Sequence, residues 1–474
     1  MLAAPACAQS QRIYFGLLHA HTCFSDGSGT PAEAYAMARS AGLDFFAVTP
    51  HNHDAAESGA KDRTDGVLIA TNPALYNSEA TLSVRTADGG TFSAVSVRRA
   101  AREAITPTFL ALYGQEFSTI SSGNHVNVFG APDVLSSPNG NFRALFDMLA
   151  SLSQQGVRTV VQLNHPNVQK DLFYAGNSDK SLSEMYNDYG FDDFGEDFES
   201  LVASSDRHVA LVEMLSGPAM SRDTYDSYRY AHVHENDYYY YLVQGFHVSP
   251  SAGQDNHYPT WGRATPARTG VLADALTQEA IFRAMHENRT FATEDKNLSV
   301  TMRLNGSMMG SCLTLAAGAD VAIDVDISDA DESESVYEAT LYYGDVAPQT
   351  RGSLERYVAS DGETETLERE GNGVITFAGY VASGEPEFFY VRVTQDGEDR
   401  AWTAPVWINH PRDAADLPAI TEWVWTSNES SRVYHHAWCK VCPNIAPHNR
   451  RTGSTPPDGR TVHACQRPAE RPEH

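Results

Sequence analysis

Short apolar runs alternate with amphipathic stretches from residue 11 to about residue 296. Runs such as "RIYFGLL", "DFFAVT" and "FLALYG" have the length of buried strands, whereas "PAEAYAMARSAG" and "GNFRALFDMLASLSQQG" repeat apolar residues at helical spacing. Pro31 suits the start of a helix, and Gly42 and Gly156 suit helix ends. Repeated alternation of strand and helix predicts an α/β fold with parallel strands, in either an open sheet or a barrel.

The pattern changes near residue 297. Segments such as "LSVTMRL", "ADVAIDVDISDA" and "GVITFAGYVA" alternate apolar and polar residues, with turn residues between them and no helical stretch. A period of two is typical of antiparallel strands with one buried face. The sequence therefore predicts an antiparallel β-sandwich over 297–411 with no catalytic residues, followed by a short tail over 412–474.

Charge restricts the kinds of partner that the chain can bind. The 474 residues include 34 Lys and Arg against 61 Asp and Glu, which gives a formal net charge of -27. A surface of this sign repels phosphate backbones, so binding of nucleic acid through counterion release is disfavoured. No run in the sequence is long and apolar enough to span a bilayer. The expected partner is a small molecule, and the pattern does not indicate an oligomeric state.

The first ten residues, "MLAAPACAQS", have the composition of the end of an export signal. Small residues with Ala-Cys-Ala before Gln9 fit a cleavage site, so residues 1–10 are predicted to be a signal-peptide remnant. A disordered start is the alternative. On the first interpretation the mature protein is periplasmic or extracellular.

Nearly every strand-like run before residue 296 ends in His, Asp or Glu. In α/β barrels the site is built at the carboxyl ends of the strands, so these side chains are expected to converge. Imidazole and carboxylate without thiolate suit Zn, Mn or Fe. Glu213 is expected to make a structural hydrogen bond, with general acid as the alternative. The predicted metal ligands are His19, His21, Asp26, His51, Glu116, His125, His165, Asp255 and His257.

The motifs "HAHTCFSDG", "VTPHN", "GQEF…GNHVNVFG", "NHP" and "GQDNH" together resemble the successive motifs of the PHP (polymerase and histidinol phosphatase) superfamily. The closer resemblance is to its CehA/McbA-type metallohydrolase branch, in which a similar β-sandwich follows and ends on words like "RAWTAPVWI". The resemblance covers roughly residues 12 to 410. It implies a distorted (β/α)7 barrel over 11–296 with two or three divalent metal ions.

The resemblance also assigns the ligands to three sites. The first metal takes His19, His21, Glu116 and Asp255. The second shares Glu116 and adds His125 and His165. The third takes Asp26, His51 and His257. The family usually has Asp where Pro50 stands, so one carboxylate beside the third site is missing here, and His53 is the alternative to His51.

The metal set and the resemblance predict a metal-dependent phosphoesterase (EC 3.1) acting on a small phosphomonoester or phosphodiester. A water shared between two ions has its pKa lowered from about 15.7 toward about 7, which supplies hydroxide without a covalent nucleophile. Arg263 and Arg268 follow the last ligands and are the catalytic candidates, because a guanidinium can bind two phosphate oxygens. For each arginine, pairing with a surface acid is the alternative.

Two other functions remain open. The same hydroxide would attack a carbonyl, so a carbamate or carboxyl ester is an alternative substrate. Pro50 keeps open a third possibility, a metal-dependent binding protein without catalysis.

The tail carries half of the six cysteines. Cys439 and Cys442 form C-x-x-C, and His463 with Cys465 follows after a loop, which is a spacing typical of a small structural zinc site. The tail also resembles short Cys/His tails on some bacterial nucleases and metallohydrolases. The alternatives are His435 or His436 as the histidine ligand, or a disulfide in an exported protein.

Overall fold

The structure is a computed structural model. No helix among the residues it describes is long and apolar enough to cross a membrane. The predictions for residues 1–10, for His53 and for Cys439, Cys442, His463 and Cys465 lie outside the described residues. The described residues are 11–52, 68–69, 71–85, 90–117, 125–136, 142–166, 202–203, 205–223, 232–348, 357–412, 423–427, 433–436, 450–453 and 461–462.

Before residue 297 the described chain mixes strands with a few helices. The strands are β1 (Arg12–Leu17), β2 (Phe45–Val48), β3 (Leu82–Arg85), β4 (Thr91–Ala94), β5 (Leu110–Phe117), β6 (Val126–Phe129), β7 (Val160–Leu163), β8 (Val209–Ser216), β9 (His232–Val233), β10 (Ser249–Ala252), β11 (Arg268–Ala273) and β12 (Thr290–Thr293). The helices are α1 (Pro31–Ser40), α2 (Ala74–Asn77), α3 (Val97–Ala104), α4 (Phe142–Gln154), α5 (Glu235–Val243) and α6 (Gln278–His286).

Helix α1 begins and ends where the sequence predicts. Pro31 is its first residue, and Thr30 caps it in a reciprocal pair with Glu33, whose backbone N–H donates to Thr30 Oγ1 at 3.3 Å. Gly42 follows the helix with φ of 84°, a conformation that favours glycine. Ala34 and Ala38 are buried on the inner face of the helix.

The main sheet has the strand order β10-β8-β7-β6-β5-β2-β1-β11-β12. Strands β1, β2 and β5 pair in parallel, as do β7, β8 and β10. Strand β6 is antiparallel to both neighbours, and so is β11. The prediction of parallel strands fails at β6 because only residues 118–125 separate it from β5, and a parallel crossover needs a dozen residues or more.

The predicted barrel is not confirmed, because no ladder among the described strands closes the sheet between β10 and β12. Its two ends nevertheless approach each other. Thr290 Oγ1 donates to the Pro250 carbonyl at 2.9 Å, and the Ala252 amide donates to Thr269 Oγ1 at 2.7 Å. The Asp255 amide donates to the His19 carbonyl at 3.0 Å. The curvature therefore brings the segment after β10 beside the segment after β1.

The chain beyond residue 297 forms two facing sheets. Its strands are β13 (Ser299–Leu304), β14 (Ser307–Met308), β15 (Cys312–Leu313), β16 (Asp320–Ser328), β17 (Val336–Asp345), β18 (Glu363–Glu370), β19 (Gly373–Val381), β20 (Glu387–Gln395), β21 (Asp399–Thr403) and β22 (Val406–Ile408). One sheet has the antiparallel order β14-β13-β16-β19. Its buried face, which includes Val325 and Ile327, packs in one apolar cluster with Leu341 and Val391 of the other layer.

The second layer continues the main sheet, because β21 pairs antiparallel with β12. Residues 291–293 of β12 lie opposite residues 401–403 of β21. The sheet whose strands carry the candidate ligands is thus hydrogen-bonded, through β12, to the layer that forms half of the sandwich. A domain boundary near residue 296 stays a prediction. In the tail, the described strands are β23 (Trp423–Thr426), β24 (Val433–His436), β25 (Arg450–Gly453) and β26 (Thr461–Val462).

Candidate metal centre

The nine predicted ligands lie at one edge of the main sheet. All but His125 stand at or beyond the carboxyl end of a strand: three follow β1, Glu116 lies near the end of β5, and others follow β2, β7 and β10. His125 instead precedes β6. Because β6 runs antiparallel to β5 and β7, its first residues reach the same edge. His125 therefore contributes to the cluster even though β6 does not run in the predicted parallel direction.

Pro50 leaves His51 within the cluster. Beyond β2 the chain stays paired with β5, since the Glu116 amide donates to the Pro50 carbonyl at 2.9 Å and the Asn52 amide to the Glu116 carbonyl at 3.0 Å. A proline can serve here because only its carbonyl is used. The pairing holds His51 Nδ1 3.0 Å from Glu116 Oε2.

The ligand atoms form three overlapping groups, and within each group they lie within 4.8 Å of one another. The first group is His19, His21, Glu116 and Asp255, the set predicted for the first metal. The second is His51, Glu116 and His125. The third is His21, Asp26, His51 and His257, which adds His21 to the predicted set.

His165 lies close to Glu116 but outside the three groups. It is not in the second group, where His51 stands instead, although its Nε2 lies 3.4 Å from Glu116 Oε1. Its ring centroid is 4.9 Å from that of His125. The structure thus brings all nine residues together, and their division among individual ions stays a prediction.

Glu116 is the centre of the cluster and is fully buried. Burial by itself would raise its pKa, but the charges of the surrounding imidazoles, led by His51 and His19, hold the pKa well below its usual range. The carboxylate is therefore ionised across the neutral range. Five imidazoles place a nitrogen within 3.4 Å of its oxygens, those of His19, His21, His51, His125 and His165.

The cluster fits divalent metal ions better than it fits a closed hydrogen-bond network. Glu116 Oε2 and Asp255 Oδ1 are buried side-chain atoms that accept no well-aligned hydrogen bond among the described residues, although imidazole nitrogens lie 2.9–3.0 Å away. An unsatisfied buried polar atom costs about 1–3 kcal/mol. Asp255 Oδ1 lies 2.9 Å from His21 Nε2. Such a separation suits two ligand atoms that both bind the same ion, each at about 2.1 Å.

Two of the predicted ligands have an unusual backbone conformation. His165 has φ of 28° and Asp255 has φ of 49°, both in the left-handed region that residues other than glycine seldom adopt. Such conformations persist where the surrounding structure imposes them, and they concentrate at functional sites. The imidazole and carboxylate donors are those that Zn, Mn and Fe accept.

Glu213 supports two ligands from behind. It lies within β8, is fully buried, and places Oε1 3.0 Å from His19 Nδ1, while Oε2 accepts the backbone N–H of His165 at 2.6 Å. Its carboxylate fixes the proton of His19 on Nδ1 and leaves Nε2 facing the cluster. Gly253 makes room for this pair, since a Cβ there would lie 2.0 Å from Glu213 Oε1. These contacts correspond to the structural hydrogen bond expected for Glu213.

Replacing Glu213 by glutamine is expected to lower metal affinity by about 10–100-fold with the fold retained, because the amide no longer fixes the His19 tautomer. Competition with a chromophoric chelator measures this for Zn and Mn. Glu287→Gln is the matched control, because that carboxylate is 42% exposed and pairs at 4.0 Å with Arg283 instead. Equal affinities for the two variants would contradict the positioning role.

The sequence analysis did not predict the contacts of three residues that orient the cluster. Asn164 Nδ2 donates to Glu116 Oε1 at 3.0 Å, Ser25 Oγ lies 3.2 Å from His21 Nδ1, and Trp261 Nε1 donates to the His21 carbonyl at 3.0 Å. Asn164 and Ser25 lie inside the motifs that carry the resemblance, so their position was a usable signal. Trp261 had none, because its partner is a distant backbone carbonyl.

The two arginines predicted to be catalytic order the loop after the last ligands. Arg268 is buried and donates to the carbonyls of Ala267 at 2.7 Å, Thr265 at 3.1 Å and Gly262 at 3.2 Å. Arg263 Nη2 donates to Ser40 Oγ at 3.1 Å, at the end of α1. Binding of phosphate by either arginine stays a prediction.

Comparison with known proteins gives weak similarities. No family model matches the chain. An uncharacterized protein of Chlamydia muridarum is 22% identical over 157 residues, which is 31% of this chain and 23% of that protein. The chain thus spans about a quarter of the length of the curated relatives that it matches.

Two solved structures bear the name of metal-dependent phosphoesterase. One is a two-domain protein of Bacteroides vulgatus containing a predicted PHP-like phosphoesterase, 13% identical, with a TM-score of 0.40 over 83% of this chain and 95% of that chain. The other, a Bifidobacterium adolescentis protein provisionally so named, is 13% identical, with a TM-score of 0.26 over 54% of this chain and 90% of that chain.

Proposed function

We propose that this chain is a PHP-type hydrolase that cleaves small phosphate esters with the help of two or three divalent metal ions. The observation that carries the proposal is the buried carboxylate of Glu116 surrounded by imidazoles, with two carboxylate oxygens of the cluster accepting no well-aligned hydrogen bond among the described residues. Burying so many ionisable groups is costly unless something binds them. The motif resemblance supports the same conclusion independently.

The proposed ions are held by the three groups of ligands, and Glu116 contributes to two of them. Bound Zn, Mn or Fe would lower the pKa of water toward about 7 and polarise the oxygens of the ester. Glu213 holds His19 in the tautomer that presents Nε2, and Asn164 holds one oxygen of Glu116. The protein thus supplies fixed ligands, and no side-chain nucleophile is required.

Substrate is proposed to approach from the side of His125 and His165. Their side chains are 19% and 22% exposed, while those of His19 and His21 are fully buried. An anionic ester is the expected occupant, because bound cations would attract it despite the net charge of -27. Export of the protein is a further proposal, supported by the composition of residues 1–10.

The chelator-treated protein is expected to lose more than about 100-fold in turnover of nitrophenyl phosphate or bis-nitrophenyl phosphate, and to regain it with Mn, Zn or Fe. A panel that adds nitrophenyl acetate and a nitrophenyl carbamate at equal concentration ranks the substrate classes. Glu287→Gln, outside the cluster, serves as the control variant.

Three other outcomes of these measurements would each contradict the proposal. Faster turnover of carbamate or acetate than of phosphate esters would make the chain a carboxyl or carbamate ester hydrolase. Full metal occupancy without turnover of any ester would identify a binding protein. Equal turnover by the stripped and reloaded protein would exclude a metal-dependent reaction.

A further inference from the structure

A series of hydrogen bonds between buried side chains runs from strand β10 to Glu116. Ser251 Oγ of β10 donates to Gln162 Oε1 of β7 at 2.8 Å, and Gln162 Nε2 donates to Asn164 Oδ1 at 2.9 Å. Asn164 Nδ2 in turn donates to Glu116 Oε1 at 3.0 Å. All four residues are fully buried. The carboxylate at the centre of the cluster is thus linked to a hydroxyl group on a different strand.

Gln162 is the polar residue of an otherwise apolar strand. The rest of β7 is Val160, Val161 and Leu163, and all three are buried. Strands buried on both faces are typically rich in Val, Ile and Leu, so an apolar side chain would serve packing at this position. A buried amide costs free energy unless it is hydrogen-bonded. Both hydrogen bonds of Gln162 belong to the series that ends at Glu116.

The chemistry of the groups fixes the direction of the series. The ionised carboxylate of Glu116 only accepts hydrogen bonds, so Asn164 has to present its NH₂ group to it. The amide oxygen of Asn164 is then left for the NH₂ group of Gln162, whose own oxygen faces Ser251. Ser251 Oγ also lies 3.1 Å from the Val212 carbonyl, so both of these neighbours are acceptors and the hydroxyl is their donor. Each side chain therefore has one orientation that satisfies its neighbours.

This orientation matters at Glu116, because the last torsion of a glutamate side chain is broad and does not fix the carboxylate plane by itself. The Asn164 amide holds Oε1, which also lies 3.0 Å from His125 Nδ1. The other oxygen, Oε2, then lies 3.0 Å from both His21 Nε2 and His51 Nδ1. Rotation about that torsion would move both oxygens away from these imidazoles at once.

We propose that Gln162 and Ser251 are positioning residues of the metal centre, which hold the Glu116 carboxylate in place through Asn164. The inference rests on the proposed metal-dependent function and extends it to two residues outside the predicted ligand set. A carboxylate that is already fixed needs no reorientation when an ion binds. The series of hydrogen bonds therefore raises metal affinity, and it is not required for the fold.

The test measures metal affinity in the full-length protein by competition with a chromophoric chelator. Gln162→Met removes both amide contacts and keeps a side chain of similar length. It is expected to weaken binding of Zn and Mn by about 10–100-fold, the effect typical of residues that orient ligands. Ser251→Ala removes the donor at the far end of the series, and a loss of about 10-fold is expected. At saturating Mn, turnover of nitrophenyl phosphate should approach that of the wild type, because every ligand is retained.

Ser249→Ala is the matched control. Ser249 precedes Ser251 on the same strand and is also fully buried. Its hydroxyl lies 3.3 Å from the Ala210 carbonyl and 2.8 Å from Thr290 Oγ1, and neither contact leads to Glu116. The control is expected to keep the metal affinity of the wild type. Thermal melting of the metal-free proteins is expected to be similar for the two serine variants.

Equal metal affinities of Ser251→Ala and Ser249→Ala would overturn the inference, even if Gln162→Met does not fold. A metal-free Ser251→Ala protein that melts well below metal-free Ser249→Ala would also overturn it, because the hydroxyl would then support the fold. A wild-type protein that binds none of Zn, Mn and Fe would contradict the proposed function itself, and this inference with it.

Discussion

Replacing Glu116 by glutamine is expected to abolish metal binding and hydrolysis together, while the fold survives. Glutamine keeps the shape of the side chain and its backbone pairing with Pro50 and Asn127. It removes the negative charge that five imidazoles share, and it leaves an amide group facing rings that cannot all accept its protons. Loss of a ligand shared by two groups predicts a fall of more than about 100-fold in affinity, beyond the 10–100-fold typical of outer partners.

Metal content after dialysis against Zn or Mn, together with turnover of nitrophenyl phosphate, measures the effect of Glu116→Gln. The Glu287→Gln protein should match the wild type in both measurements. A Glu116→Gln protein with full metal content and normal turnover would show that the carboxylate is not a ligand. Circular dichroism separates loss of metal from loss of fold.

Metal affinity is expected to rise with pH through the neutral range. In the metal-free protein, burial would lower the pKa of His19, but Asp255, Glu116 and Glu213 raise it well above its usual value. The pKa values of His165 and His257 are also raised against burial by neighbouring carboxylates. The raised pKa values favour the protonated form of these imidazoles, and each must lose its proton before it binds a metal.

The direction of the pH effect follows from the competition between protons and metal ions for the imidazoles. Because the protonated form is favoured below the raised pKa, lowering the pH weakens metal binding, and raising it strengthens binding until the imidazoles are neutral. Release of two protons changes the affinity by about 100-fold per pH unit. Calorimetric titration with Zn in two buffers of different ionisation heat counts the protons. A pH-independent affinity with no proton release would contradict the expectation.

Local features of the fold could be predicted because each depends on a few neighbouring residues. Pro31 and Gly42 mark the ends of α1, and the alternation in β16 matches buried residues such as Val325 and Ile327. Strand direction could not be predicted in the same way. The apolar run of β6 reads alike in either direction, and its antiparallel placement depends on the short connection from β5 and on pairing with β7.

The candidate site could likewise be predicted in part from the sequence. The predicted ligands meet because their segments end at one edge of the sheet, which the residue pattern before residue 296 already indicates. The exchange of His51 for His165 in the second group depends on distances of a few ångströms that the curvature of the sheet sets.

The pairing of β12 with β21 has a mechanical consequence. A hinge between the α/β strands and the sandwich would have to break backbone hydrogen bonds, so the two parts are expected to turn together as one elastic body. Cutting the chain after β12 would leave the donors and acceptors of that strand facing solvent, an edge prone to pair with other chains. The pairing with β21 thereby covers the edge of β12 permanently, although none of the predicted ligands lies in the sandwich strands.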